Sequence, residues 1–571
     1  MKNNKLWMLA AILICGLGMM LTACSSSDTV ESEIVDGGED VTPDDDGEGD
    51  ITPATGKVVV MYYAVGGGDI DNDIEWGLGK MGLEQLKGDG VRTFVQMKYS
   101  SKRHNDWGST YEPSGDYGCV YRFELNKSSL NPDYKGELDE PYTFKGEGFK
   151  KFAGKDFKMY DPDNLVAFIN WCMEQAPGAK AYVLAFGNHG GGYGIGTDYN
   201  KSLTRGVLYD DNLKNACMSP TEIRTALNKL TRKPDMVFFD LCIMNTLEVL
   251  GELQGCTNFV FASGHPVLQT PLELLCVALE CVAKSDDDVA ESIKKNMTDC
   301  VINITQEMEE KLKNEKGTRY KRSMDYTLTD MSKMPALLAS IKAVTDFLVK
   351  TDISGIDVDL FDEAASGCYH YVDTDPYFDV VSYLNQLKEN VFPDNAEFAG
   401  LVSQVETAVK ACHVAHEEFS YDKNGTDKKY GLSYSIYLGF SSSRLIFDNP
   451  EVKDFAPKEP MGVIMQTCMG GKGTADDPYY NSYILENGQC FLTNWQGKRE
   501  ATSRDITMYY AEGSDANLSW DNTYRTLLFD KATGWSNWMK KNPGISFDNP
   551  PYDDEYTYVF EKPTWNELTG E

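Results

Sequence analysis

Two short apolar runs, Ala181-Tyr-Val-Leu-Ala-Phe186 and Met236-Val-Phe-Phe239, limit the chain most. Each is bounded and rich in β-formers, which suits buried strands of a parallel sheet. Between them Ser219-Pro-Thr-Glu222 has the form of a capping box, and Ile223, Ala226, Leu227 and Leu230 give the helix behind it one apolar stripe. Strand, helix and strand in that order make a right-handed crossover that lays the two strands parallel. The first run ends in Gly187-Asn-His-Gly-Gly-Gly192 and the second in Asp240-Leu-Cys-Ile-Met244, so His189 and Cys242, 53 residues apart, both leave carboxyl strand ends. In open α/β sheets ligands sit in the crevice outside those ends.

The same alternation runs from residue 58 to 285 and predicts five or six strands of a doubly wound α/β layer. Val58 to Ala64, Val91 to Tyr99 and Asn258 to Ala262 read as further strands, with a hairpin around Cys119 to Leu125. Asp161 and Pro162 open a helix whose buried face is Leu165, Phe168, Ile169 and Cys172, and Thr270-Pro-Leu-Glu273 reads as the cap of another. Later come helices near 288–313 and 333–350, a mixed region to about 420 and a strand-like run at 431–438. We divide the chain into a signal segment at 1–24, an acidic tether at 25–56, a core at 57–440 and a C-terminal elaboration at 441–571. That last part is read as integral to the core, the alternative being a separate β-rich domain.

Lys2 and Lys5, the apolar run Leu6 to Met20 and the box Leu21-Thr-Ala-Cys24 form a bacterial lipoprotein signal, with Cys24 the lipidated residue. From Asp28 to Asp50 there are eleven acidic residues and no Lys or Arg, a composition that favours a solvated tether. The expected location is therefore the cell envelope, lipid-anchored to the outer membrane, with the acidic stretch resembling surface-export signals of some Gram-negative lipoproteins. The 88 acidic residues against 54 basic ones, a formal charge of −34, argue against a nucleic-acid partner. Twelve cysteines follow Cys24 without a paired CxxC or a dense framework, so Cys242 is singled out by its position alone.

A thiolate attacks a peptide carbonyl well when a neighbour manages the proton. His189 is suited to that role and to protonating the leaving amine. Backbone N–H groups of Gly190 and Cys242 are candidate oxyanion donors. Strand alternation places Asp240 on the same side as Cys242, where its charge would attract a basic side chain.

The pair Asn188-His-Gly-Gly-Gly192 and Asp240-Leu-Cys-Ile-Met244, with Glu248 behind, resembles the active-site motifs of clostripain-like cysteine peptidases, relatives of caspases, gingipains and legumains. Supporting matches are Asp71-Asn-Asp-Ile-Glu75, Asp163 to Trp171, Gly431 to Tyr437 and Thr533-Gly-Trp-Ser-Asn-Trp538, so the likeness covers roughly 57–545. The resemblance implies a caspase-like α/β/α sandwich with a mostly parallel sheet and C-terminal elaborations. It also implies a His189/Cys242 dyad acting on peptides or proteins, cleavage after Arg or Lys, and processing in the loop holding Lys201 and Arg205. One stretch departs: Ala262-Ser-Gly-His-Pro266 stands where the family carries Ala-Ser-Glu. Ser263 and His265 are then expected at the specificity pocket, where His265 either alters the preference or packs.

Asp69, Asp71 and Asp73 are spaced like part of a calcium loop, but neither the glycine nor the closing glutamate follows, and no cofactor is expected; calcium dependence is not readable. His413 and His416 lack the HExxH form and are read as solvated helix residues, so no metal is expected. Two functions fit: a lipid-anchored cysteine endopeptidase, or a peptidase-fold surface lipoprotein that binds a peptide or protein without cutting it. Oligomeric state is not legible.

Overall fold

The computed structural model describes residues 53–542 except 69, 103–111, 137–141, 194–205, 214–215, 268–269, 315–322, 372–376, 421–428, 439–463, 469–479, 487–488, 494–498, 503–523 and 525. The signal segment with Cys24, nearly all of the tether, Asp69, and Lys201 and Arg205 lie outside the described residues.

In chain order the first half contains β1 (Val58–Val65), α1 (Asp71–Gln85), β2 (Val91–Lys98), β3 (Val120–Glu124), β4 (Lys150–Ala153), α2 (Pro162–Gln175) and β5 (Ala181–Gly187). Next come β6 (Val207–Asp210), β7 (Ala216–Met218), α3 (Pro220–Lys229), β8 (Met236–Asp240), α4 (Leu247–Glu252), β9 (Phe259–Ala262), α5 (Leu272–Lys284) and α6 (Val289–Asn314). The second half adds β10 (Met324–Asp330), α7 (Met334–Lys350), α8 (Val358–Gly367), β11 (Tyr377–Asp379), α9 (Val380–Gln386), α10 (Ala396–Cys412), β12 (His413–Phe419) and β13 (Ser435–Tyr437). A four-stranded antiparallel sheet is drawn from 464–502, and α11 (Leu528–Thr533) and α12 (Trp535–Lys541) follow.

Nine strands form the main sheet in the order β12-β10-β9-β8-β5-β1-β2-β3-β4. The central five, β9-β8-β5-β1-β2, are parallel, and antiparallel strands extend both sides. The chain goes from β1 to β2 on one side and returns to β5 on the other, so the strand order reverses between β1 and β5. That reversal opens the crevice in which doubly wound sheets place their chemistry.

The apolar strands read from sequence are this sheet's centre. All eight residues of β1 are buried. Val59, Met61, Tyr63 and Val65 face one core, with α2, α3, α4 and α7; Val58, Val60, Tyr62 and Ala64 face the other, with α1, α5 and α6. The result is an α/β/α sandwich, each buried side chain of Val or Leu size contributing about 1.5–3 kcal/mol. Phe529, Trp535 and Trp538 of the last two helices are buried in the same cluster as Leu184 and Phe239. Among the described residues no helix is long and apolar enough to cross a membrane.

Two caps form as the sequence predicts. The Asp161 carboxylate accepts the Asp163 N–H ahead of α2, and Ser219 and Glu222 complete a capping box at α3. Three expectations fail locally. The Thr270 side chain does not cap α5; its hydroxyl pairs instead with that of Tyr326 at 2.9 Å, and Glu273 pairs with Lys80. The expected hairpin near 119–125 is a single strand, β3, held between β2 and β4. His413 and His416 lie on a strand, not a helix, because β10 offers β12 an antiparallel edge on which Thr327 pairs with His416.

Candidate active site

The register between β5 and β8 fixes the central geometry. Gly187 is paired with Asp240, and His189 and Cys242 each stand two residues further along. Neighbouring strands are about 4.8 Å apart, so the two side chains depart from adjacent strands at one level. The loops also touch. A Cβ on Gly190 would lie 2.1 Å from the Cys242 carbonyl oxygen and 2.9 Å from its nitrogen, so only glycine allows the backbone after His189 to rest on the backbone of Cys242.

Three groups seat the histidine. Asn188 is buried; its amide donates to the Val65 carbonyl and, at 3.3 Å, to that of Tyr209, and its oxygen accepts the Tyr209 N–H at 2.7 Å. Gly67, at φ +61°, turns the chain after β1 beneath the ring: a Cβ there would be 3.0 Å from His189 Cδ2. The β6–β7 hairpin that supplies Tyr209 is itself anchored by a buried ion pair, Lys98 Nζ to Asp210 Oδ2 at 2.7 Å, with Lys98 also donating to the carbonyls of Lys155 and Phe157. His189 remains partly exposed at the mouth of the crevice.

Cys242 is partly exposed, whereas Cys119, Cys172, Cys217, Cys256, Cys276, Cys300, Cys368 and Cys412 are buried. Burial pushes the Cys217 and Cys412 thiols up to about 12, which leaves such residues inert. Cys281 is exposed, but it sits within α5, away from the strand ends. The sulfur of Cys242 accepts the Val267 N–H at 3.2 Å. The next residue, Ile243, has φ +58°, a left-handed conformation that costs a β-branched residue on the order of 1–3 kcal/mol and is held by its surroundings.

Asp240 sits on the other side of this turn. Its Oδ2 accepts the Tyr62 hydroxyl at 2.7 Å, and the path between them crosses β5 at Gly187, where a Cβ would strike that hydroxyl. Burial raises the Asp240 carboxyl to about 6, against the lowering effect of hydrogen bonds from Thr270 and Tyr62. Cys242 packs on the opposite core, so simple strand alternation does not carry through the turn that begins at Leu241.

The sequence places Ser263 and His265 at a pocket; the structure buries both. Asp325, fully buried in β10, accepts at Oδ1 from Ser263 Oγ (3.2 Å), Gly264 N (2.9 Å), His265 N (3.2 Å) and His265 Nδ1 (2.6 Å). The other ring nitrogen, His265 Nε2, meets the Tyr369 hydroxyl at 2.7 Å. A buried carboxylate draws in every donor within reach, and this one turns both side chains inward. Burial raises the Asp325 carboxyl, but His265 more than offsets that and holds it below the usual range.

Sequence reasoning missed Asp325, Tyr369, Tyr62 and the Val267 N–H. Only Asp325 left a trace, as a charge inside the apolar run Met324 to Leu328. Asp71 proves to be a buried brace, taking the Ser100 N–H at 3.1 Å, with its carboxyl pushed up to about 8 by burial. Among the described residues no cluster of three or more His, Cys, Asp or Glu could hold a metal.

Three solved structures resemble this chain. A secreted C11 cysteine protease from Bacteroides thetaiotaomicron, iotapain, shares 15% identity at TM-score 0.45, over 68% of this chain and 94% of its own. The structure of a secreted C11 cysteine protease from the same organism with an irreversible peptide inhibitor gives 15% and 0.43, over 70% and 98%. An inactive zymogen C11 protease from Parabacteroides distasonis gives 13% and 0.41, over 68% and 93%. No curated protein matches. The model of the clostripain family matches residues 133–541. That span takes in both strand-end loops and reaches the tryptophans of α12, and the chain belongs to the clostripain family of cysteine peptidases.

Proposed function

We propose that the chain is a lipid-anchored cysteine endopeptidase in which Cys242 is the nucleophile and His189 the acid and base. The observation that carries this reading is the equal register of the two residues on β5 and β8, with Gly190 packed on Cys242. His189 takes the thiol proton, and the sulfur adds to the carbonyl carbon of the scissile bond. The negative oxygen that forms is stabilised by the N–H groups of Gly190 and Cys242. As the tetrahedral centre collapses, the C–N bond breaks and His189 gives its proton to the leaving amine. Water, deprotonated by His189, then attacks the thioester, releases the acid and restores the thiol.

Asp240 supports a preference for Arg or Lys before the cut. With its carboxyl near 6, it is mostly charged above that pH and mostly neutral below, so the preference weakens as pH falls through 6. The lipobox at Cys24 and the acidic tether support attachment to the outer membrane, facing outward. Processing at Lys201 or Arg205 belongs to the same reading, because the chain resumes immediately afterwards in a hairpin with its own anchors.

The test is hydrolysis of a peptide panel that varies the residue before the cut, with wild type and Cys242→Ala run side by side at several pH values. Loss of more than about a thousandfold in Cys242→Ala is expected. Equal rates would remove Cys242 from the mechanism and favour the binding-only function. A denaturing gel of the same samples reveals any two-fragment form.

A further inference from the structure

The loop that carries Cys242 does not support itself. Ile243 N–H donates to the His265 carbonyl at 3.1 Å and Asn245 N–H to the Ser263 carbonyl at 2.9 Å, so the loop is docked on residues 263–267 as on an extra strand. The same segment ends in Val267, whose N–H points at the sulfur from 3.2 Å. Segment 263–267 is in turn clamped by one group, the Asp325 carboxylate, which gathers Ser263, Gly264 and both donors of His265, while Tyr369 holds the far side of the ring.

We propose that His265 and Asp325 are positioning residues for the reaction: they fix the segment whose Val267 N–H holds and stabilises the Cys242 thiolate. The inference rests on Cys242 being the nucleophile. It gives the departure Ser263-Gly264-His265 a role other than substrate recognition. A donor N–H aimed at a thiolate lowers the free energy of the charged form, and it does so only while its own backbone is held in place. The charged or titratable groups facing this sulfur are His189 beyond β5, Asp240 on its own strand, Tyr326 on β10, and the His265–Asp325 pair.

The sign of the effect separates positioning from simple charge. Taking a negative charge away from a thiol favours the thiolate and moves its ionisation to lower pH. Releasing the Val267 N–H moves it to higher pH. The experiment is the rate of Cys242 alkylation by iodoacetamide against pH, followed by peptide mapping so that the exposed Cys281 is counted separately. It uses the full chain as wild type, Asp325→Asn, His265→Ala and His265→Asn. In Asp325→Asn and His265→Ala the midpoint is expected to rise by about one pH unit, a tenfold loss of thiolate at a given pH. His265→Asn keeps an N–H where Nδ1 stood and should retain most of the wild-type profile. If His265→Ala does not fold, Asp325→Asn against His265→Asn carries the comparison.

A midpoint that stays fixed or falls in Asp325→Asn, with only the reactive fraction reduced, overturns the proposal and leaves a structural clamp. A Cys242→Ser protein that still cleaves peptides overturns the nucleophile assignment, and this inference with it.

Discussion

His189 and His265 stand at equivalent places, one two residues past the end of β5 and the other three past the end of β9, but their surroundings are opposite. His189 is partly exposed, lies over Gly67 and is followed by a glycine that touches Cys242. His265 is buried, with Asp325 on one ring nitrogen and Tyr369 on the other. A strand end supplies reach, and the neighbours decide whether that reach is used for chemistry or for support. Glycines around one ring leave space for a substrate; a carboxylate and a phenol around the other consume its hydrogen-bonding capacity. The first histidine should therefore be felt in rate and the second in stability.

The strongest test of that contrast pairs His189→Ala with His265→Ala. The former should lower kcat/KM by roughly 10²–10⁴-fold while shifting unfolding free energy by no more than about 0.5 kcal/mol. The latter should cost about 3–5 kcal/mol in denaturant unfolding, because it leaves the Asp325 charge buried without its ring partner. If His189→Ala were the destabilising change, the contrast would be reversed.

A smaller effect separates the two sites in acid. The Asp325 carboxyl is held below its unfolded value of 3.8, so the stability it contributes is present above that pH and is lost as pH falls through the folded value. In Asp325→Asn the acid limb of the stability curve should flatten by up to about 1.4 kcal/mol per pH unit. An unchanged limb would mean that the His265–Asp325 pair carries no net charge interaction. Smallest of all, Tyr369→Phe removes one hydroxyl from the His265 side and should cost about 1 kcal/mol in unfolding. Peptide hydrolysis should be unaltered, and a large loss would show that Tyr369 reaches the reacting groups.

The features legible in the sequence were those written in consecutive residues. The buried strands, the caps at Asp161 and Ser219, and the two loops containing His189 and Cys242 all follow from patterns within about ten residues. What stayed hidden depends on partners far along the chain. Thr270 has the local form of a cap, but Tyr326, 56 residues later, takes its hydroxyl. His265 reads as a pocket residue until Asp325, 60 residues on, folds over it. His413 and His416 share a helix face only if the helix continues, and the open edge of β10 ends it at Cys412. Strand alternation likewise fails between Asp240 and Cys242, because the turn at Leu241 sends the thiol to the opposite core.

The Lys98–Asp210 ion pair has one more consequence. It fastens the hairpin that braces Asn188 to the opposite flank of the sheet, beside β2, and β1 and β5 are paired along seven residues between them. Mechanical support for His189 thus bypasses the covalent path through residues 194–205. Were the backbone severed in that interval, the two pieces would remain one folded body, and the histidine would keep its seat. The interval is a place where the molecule can lose chain continuity without losing the alignment of its two reacting side chains.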